Sequence, residues 1–147
     1  MRTVIFDLDG TLADTAPDLL ASLNHCLELE GIEPVDPVTL KSYVGHGARV
    51  MIERAFTARQ KPLAADKLDA LQAQFLRHYI AEMPGKTALY PGVRRVMDDF
   101  SGLGYGLAIC TNKLEGMSVR LLEGLGVAHY FAAICGGDTF TYRKPDP

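Results

Sequence analysis

Thr3-Val4-Ile5-Phe6-Asp7-Leu8-Asp9-Gly10-Thr11 is the stretch from which the fold follows. Residues 3–6 are β-branched and aromatic and run straight into a tight polar turn, the pattern of a buried strand ending at a site. Asp7 and Asp9 stand two apart at that end. This spacing turns both side chains to one face, at the carboxyl edge where open α/β sheets place their ligands. Two carboxylates converging there repel unless a cation neutralises them or one keeps a proton, and hard oxygen donors of this kind suit Mg²⁺. Turn capping is the plainer reading of acidic residues after a strand, but the pair followed by Gly10-Thr11 favours metal or acid–base work. Gly10 permits a sharp turn, and the amides of Leu8, Asp9, Gly10 and Thr11 form a candidate nest for phosphate oxygens.

Downstream of the strand the pattern becomes helical from Thr15 to about Glu82. Pro17 suits a first turn; Leu19, Leu20, Leu23 and Leu27 form one stripe, and Gly31 stops it. Asp36-Pro37 opens a short helix expected to end at Gly45-His46-Gly47, and Ala48 to about Ala58 reads as another. The longest stripe, Leu68, Leu71, Phe75, Leu76, Tyr79 and Ile80, ends at Met83-Pro84-Gly85. Residues 15–85 are thus expected to be an all-helical insert.

After Tyr90-Pro91-Gly92 helices and strands alternate: helix 93–100, strand 106–111, helix 114–125, strand 130–135. Alternation of this kind specifies a parallel sheet, so residues 1–14 and 86–147 are expected to make one α/β core, Rossmann-like, with the insert between its first two strands. Asp146-Pro147 looks like a helix start, and three parallel strands leave edges uncovered, so the core is expected to be incomplete, the chain being truncated.

Fifteen Lys and Arg against eighteen Asp and Glu give a net charge of −3, which offers no electrostatic attraction to nucleic acid or to an anionic membrane. Any anion must be captured locally. Cys26, Cys110 and Cys135 form no CxxC pair, which argues against a zinc cluster or disulfide framework and fits a reducing cytoplasm. No apolar run reaches membrane-spanning length, and Asp7 interrupts the first one too early for a signal peptide.

Two further segments reach the same sheet edge. Thr111-Asn112 brings a hydroxyl and an amide that can donate to an anion, although such a pair also serves as a helix cap. Lys144, held extended by Pro145, brings an ammonium that can neutralise phosphate and carboxylates, although a lysine there also reads as solvated surface. His25, His78 and His129 stand singly, without partners at ligand spacing. Gly136-Gly137-Asp138 reads as a turn after a strand. No phosphate-loop or dinucleotide motif is complete.

Taken in order, residues 4–12, Thr111-Asn112-Lys113 and Arg143-Lys144-Pro145-Asp146-Pro147 resemble the first three motifs of the haloacid dehalogenase superfamily, and the resemblance is closest to its bacterial phosphoglycolate phosphatase branch. Asp14 and Gly45-His46-Gly47-Ala48-Arg49 resemble that branch too. The resemblance implies a Mg²⁺-dependent phosphatase of a small phosphorylated metabolite, with 2-phosphoglycolate leading. Phosphosugar phosphatase, pyrophosphatase and phosphomutase activities share the motifs. A phosphate- or Mg²⁺-binding module without turnover is a reading from another class. In the implied chemistry Asp7 attacks phosphorus and becomes an aspartyl-phosphate, and Asp9 protonates the leaving alcohol and then activates water. Thr111, with Asn112, holds the phosphoryl oxygens, and Lys144 offsets their charge. Mg²⁺ sits on the Asp7 carboxylate and the Asp9 carbonyl, with acidic ligands from a fourth motif not found in these residues. Residues 15–85 correspond to a cap that sets specificity, with Gly45, His46 and Arg49 as candidate contacts and Arg49 as a fork for a substrate carboxylate. The resemblance also implies a cytoplasmic monomer or homodimer.

Overall fold

Strand β1 (Thr3–Phe6) pairs in parallel with β4 (Gly106–Cys110), which pairs in parallel with β5 (Phe131–Cys135), in the order β1-β4-β5. The structure, a computed structural model, describes residues 2–146. Its architecture is mixed α/β, a Rossmann-like parallel sheet with flanking helices and a separate helical body. The chain divides into two compact units, Met1–Asp14 with Thr87–Pro147, and Thr15–Lys86.

In the first unit β4 is the central strand, and its Leu107 and Ile109 are each only 1% exposed. The expectation that β1 is buried is corrected: Ile5 is 64% exposed, because β1 pairs only through β4 and lies at the edge of the described sheet. Helices α5 (Val93–Gly102) and α6 (Glu115–Gly124) make the crossovers between these strands. Helix α5 runs two residues past its expected end, and Tyr130 belongs to a 3-10 turn (Ala128–Tyr130) rather than to β5. Parallel register brings the carboxyl ends of all three strands to one edge, so Asp7, Thr111 and Gly136 each follow directly on a strand. The start of another helix at Asp146-Pro147 falls partly outside the described residues, which end at Asp146.

A second, two-stranded sheet was not legible in the sequence. β2 (Ala13–Asp14) pairs antiparallel with β3 (Ala88–Leu89), and Tyr90 N donates to Leu12 O at 3.0 Å. Two-residue strands carry no periodicity to read. The ribbon joins the segment where the chain leaves the first unit to the one where it returns.

The helical unit comprises α1 (Ala16–Leu29), α2 (Pro37–Leu40), α3 (Ala48–Thr57) and α4 (Ala65–Glu82). Its core follows the apolar stripes: Leu19, Leu23 and Leu27 of α1, Ile52 and Phe56 of α3, and Leu68, Leu71, Phe75 and Tyr79 of α4 are buried. Helix α2 is shorter than expected. Asp36 caps it by accepting from Val38 N and Thr39 N, both at 2.9 Å, and these bonds together with Thr39 Oγ1 hold its carboxyl below the usual range. After Leu40 the bonds tighten to three-residue spacing, Ser42 N to Thr39 O and Tyr43 N to Leu40 O, and the helix stops before Gly45. Asp18, buried in the first turn of α1, accepts from Lys86 N at 2.9 Å and so fixes the end of the unit to its beginning. Burial, reinforced by the Glu30 charge, pushes the Cys26 thiol up to about 11. Among the described residues no helix is long and apolar enough to cross a membrane.

Candidate active site

The turn after β1 is built by Leu8 and Gly10. Leu8 is fully buried and its carbonyl accepts from the amides of Thr11, Leu12 and Ala13 at 3.1–3.2 Å, while Gly10, at φ +75°, supplies the left-handed step. Gly10 N donates to Ala13 O at 2.9 Å, and Leu8 N donates to Asp7 Oδ1 at 2.8 Å. The amides of Leu8, Gly10 and Thr11 are committed to protein acceptors, because the turn closes on its own carbonyls and on the Asp7 carboxylate.

What the turn does is hold two carboxylates at the sheet edge, each against its own lysine. Lys144 Nζ lies 3.1 Å from Asp7 Oδ1, with both side chains somewhat more than a third exposed. Lys113 Nζ lies 2.9 Å from Asp9 Oδ1 and 3.3 Å from Asp9 Oδ2, and this pair is far more enclosed, 5% and 14% exposed. The repulsion inherent in an Asp-x-Asp turn is thus relieved within the chain itself. A pair as open as Lys144–Asp7 contributes little to stability, whereas removing one partner of an enclosed pair strands the other.

Thr111, 3% exposed, continues the β4–β5 ladder by donating its amide to Cys135 O at 3.0 Å, and its Oγ1 accepts from Lys113 N at 3.2 Å. Asn112 Nδ2 donates to Lys144 O at 3.3 Å, which ties the residue after β4 to the lysine near the end of the described chain. The structure brings Asp7, Asp9, Thr111, Asn112 and Lys144 into one linked edge. It adds Lys113, which sequence reasoning passed over as the tail of the Thr-Asn-Lys run. The signal was present: Thr111 and Lys113, two apart beyond a strand, share a direction just as Asp7 and Asp9 do.

Gly136-Gly137-Asp138 forms the turn expected after β5 and locks this arrangement. Gly137 N donates to Lys113 O at 2.8 Å, and Asp138 Oδ1 accepts from Glu115 N at 2.7 Å, capping α6 from another segment. A Cβ on Gly136 would come within 2.5 Å of Glu115 Cα and 2.7 Å of Lys113 O, both backbone atoms that cannot step aside. Gly136→Ala should therefore cost about 1–3 kcal/mol by overpacking. By contrast Gly116→Ala, in open space within α6, should stabilise by up to about 1 kcal/mol. Chemical denaturation of the two variants checks the opposite signs.

Gly45, His46 and Arg49 all lie in the helical unit. Gly45 has φ +103° in the turn before α3, and His46 Nδ1 stands 3.5 Å from an Arg54 nitrogen. The Arg49 guanidinium is engaged on α4, by the Asp69 carboxylate and by Gln72 Oε1 at 3.3 Å. Two histidines read as solitary are not. His25 and His78 stack with ring centroids 4.5 Å apart, and Ser22 Oγ lies 3.0 Å from His78 Nδ1, because α1 and α4 pack side by side.

Asp7 carboxylate and Asp9 carbonyl oxygens are the hard donors that Mg²⁺ takes, and in that respect the residues fit the ion. Among the described residues no group of three or more His, Cys, Asp and Glu side chains gathers to hold a metal.

Known proteins resemble this chain over nearly its whole length. The model of the haloacid dehalogenase-like hydrolases matches residues 4–147. The phosphoglycolate phosphatase of Mesorhizobium japonicum is 54% identical over 144 residues, covering 98% of this chain and 63% of that protein. That of Agrobacterium fabrum is 54% identical over 142 residues, covering 97% and 61%. The chain therefore spans somewhat less than two thirds of the length of these relatives. A crystal structure from Haemophilus somnus, described as a predicted phosphoglycolate phosphatase, superposes with a TM-score of 0.88 at 29% identity, over 98% of this chain and 65% of that one. A match of the family model from the first strand to the last residue, on a sheet edge carrying Asp7, Asp9, Thr111 and Lys144, places the chain in the haloacid dehalogenase-like hydrolase family.

Proposed function

We propose that the chain carries the catalytic edge of a Mg²⁺-dependent phosphatase of a small phosphorylated metabolite, with 2-phosphoglycolate as substrate and glycolate and phosphate as products. The observation that supports this most is the pairing of each turn carboxylate with its own lysine beside Thr111. Among relatives, those bearing the phosphoglycolate phosphatase name reach 54% identity.

Catalysis divides into two displacements. Asp7, following directly on β1, is the nucleophile: its carboxylate oxygen bonds to phosphorus as the ester P–O bond breaks, and the Asp9 carboxyl gives its proton to the departing alkoxide. In the second displacement Asp9 takes a proton from water as the water oxygen bonds to phosphorus and the Asp7 oxygen leaves. Asp9 is protonated again, and the net change is ester plus water to alcohol plus phosphate. Thr111 Oγ1 and the Asn112 amide hold the phosphoryl oxygens in place, and Lys144 shares its charge between them and Asp7. Such positioning and charge compensation supply most of the catalysis in phosphoryl transfer. The Asp7 carboxylate and the Asp9 carbonyl would hold Mg²⁺, which when bound supplies positive charge to the phosphoryl oxygens. Residues 1–14 and 86–147 form the catalytic core in this reading, and residues 15–85 the cap that selects the substrate. A free-thiol cytoplasmic setting accords with the three unpaired cysteines.

The test is phosphate release by the complete gene product from 2-phosphoglycolate, hexose phosphates and pyrophosphate, with Mg²⁺ and after chelation. Highest kcat/KM on 2-phosphoglycolate, lost with EDTA and restored by Mg²⁺, is the expected result. Preference for a hexose phosphate or pyrophosphate would reassign the substrate, and no release from any of them would remove the phosphatase reading.

A further inference from the structure

The most enclosed ion pair at the sheet edge joins Asp9 to a lysine to which the mechanism above gives no role. Lys113 is 8% exposed as a residue, its Nζ reaches both oxygens of the Asp9 carboxylate, and its backbone is pinned at both ends, by Thr111 Oγ1 at its amide and Gly137 N at its carbonyl. Lys144 and Asp7 are much more open, as a nucleophile and a charge that must both meet substrate require. Holding a long flexible side chain at both its backbone and its tip gives up its rotamer freedom.

Resting on the proposed function, we infer that Lys113 is a positioning residue for Asp9. It fixes the carboxyl group that gives a proton to the leaving group in the first displacement and receives one from water in the second. Three features assign this role to Lys113 rather than to Lys144. Its ammonium contacts Asp9. Its backbone is locked by the Gly136-Gly137 turn, which admits no side chain at Gly136 and brings Gly137 within 2.5 Å of Asn112 O for any added Cβ. Finally, Lys113 lies in the segment that also carries Thr111 and donates its amide to Thr111 Oγ1, so the group holding the phosphoryl oxygens and the group aiming the proton donor are held by one piece of chain. No bond to phosphorus is made or broken by Lys113.

A residue that positions a proton donor leaves a signature that a merely structural one does not. With substituted phenyl phosphates, kcat/KM reports the first displacement, and proton donation matters more as the leaving group becomes more basic. In the complete gene product with Mg²⁺, Lys113→Met should lower kcat/KM on order of 10²-fold for phenyl phosphate but only about threefold for p-nitrophenyl phosphate, whose phenolate departs unaided. The dependence on leaving-group basicity, shallow in the wild type, should become steep. Lys113→Arg keeps the charge and should restore most of the phenyl phosphate rate. If Lys113→Met fails to fold, Lys113→Gln, which keeps a polar side chain but removes the charge, takes its place and should show the same steepened leaving-group dependence. Equal loss on every ester in the folded variants would overturn the positioning role while leaving the phosphatase reading intact. Wild-type protein inert towards 2-phosphoglycolate and towards all the aryl esters would overturn the phosphatase reading, and this inference with it; activity on 2-phosphoglycolate with none on any aryl ester would overturn the inference alone.

Discussion

Asp7→Asn should reduce kcat on 2-phosphoglycolate on the order of 10⁴-fold, the scale on which deleting a nucleophile acts. The substitution is nearly isosteric and the local structure tolerates it. Asn retains the oxygen that accepts from Leu8 N, and the lost Lys144 ion pair is open to solvent, so its contribution to stability is at most about 1 kcal/mol. The loss should therefore appear in turnover and not in the melting temperature. Steady-state kinetics beside a thermal melt of the complete gene product separates the two. A variant within tenfold of wild type would exclude a covalent aspartyl-phosphate.

The largest effect on stability is expected at the opposite kind of position. Phe75 has no exposed surface, lies on the core stripe of α4 and stacks with Tyr79, ring centroids 6.0 Å apart. Because α1 and α3 both pack on α4, truncating this ring leaves a cavity that neighbouring helices cannot easily collapse into. Phe75→Ala should cost about 3–5 kcal/mol, against about 0.5 kcal/mol or less for Arg77→Ala on the exposed face of the same helix. Urea denaturation of both variants measures the difference. A Phe75 cost near that of Arg77 would mean that the stripe is not the core of the helical unit.

The contrast between these positions reflects how each became legible. Phe75 was read from periodicity, and Asp7 from its place after an apolar strand; both are local patterns, and both lie where the pattern puts them. Lys113 was not read, although it stands beside Thr111 and Asn112, because its meaning lies in a carboxylate 104 residues away in sequence. The same limit applies to Arg49, whose guanidinium meets Asp69 on a different helix, and to His25 and His78, which stack across α1 and α4. Cys110 and Cys135 look unrelated in the sequence and are register partners in the sheet.

The alternation of strands and helices in the sequence determined the α/β class, and the strand and its polar turn at residues 3–11 determined the edge on which the candidate site lies and its two carboxylates. Hydrophobic spacing and glycine placement are local quantities and are written directly in the chain. Tertiary structure alone decided which cation serves which carboxylate, that the amides of the Gly10 turn are spent on their own carbonyls, and that the Gly136-Gly137 turn clamps Lys113. These are pairings between distant segments, and they exist only once parallel strand register has brought the segments to the same edge.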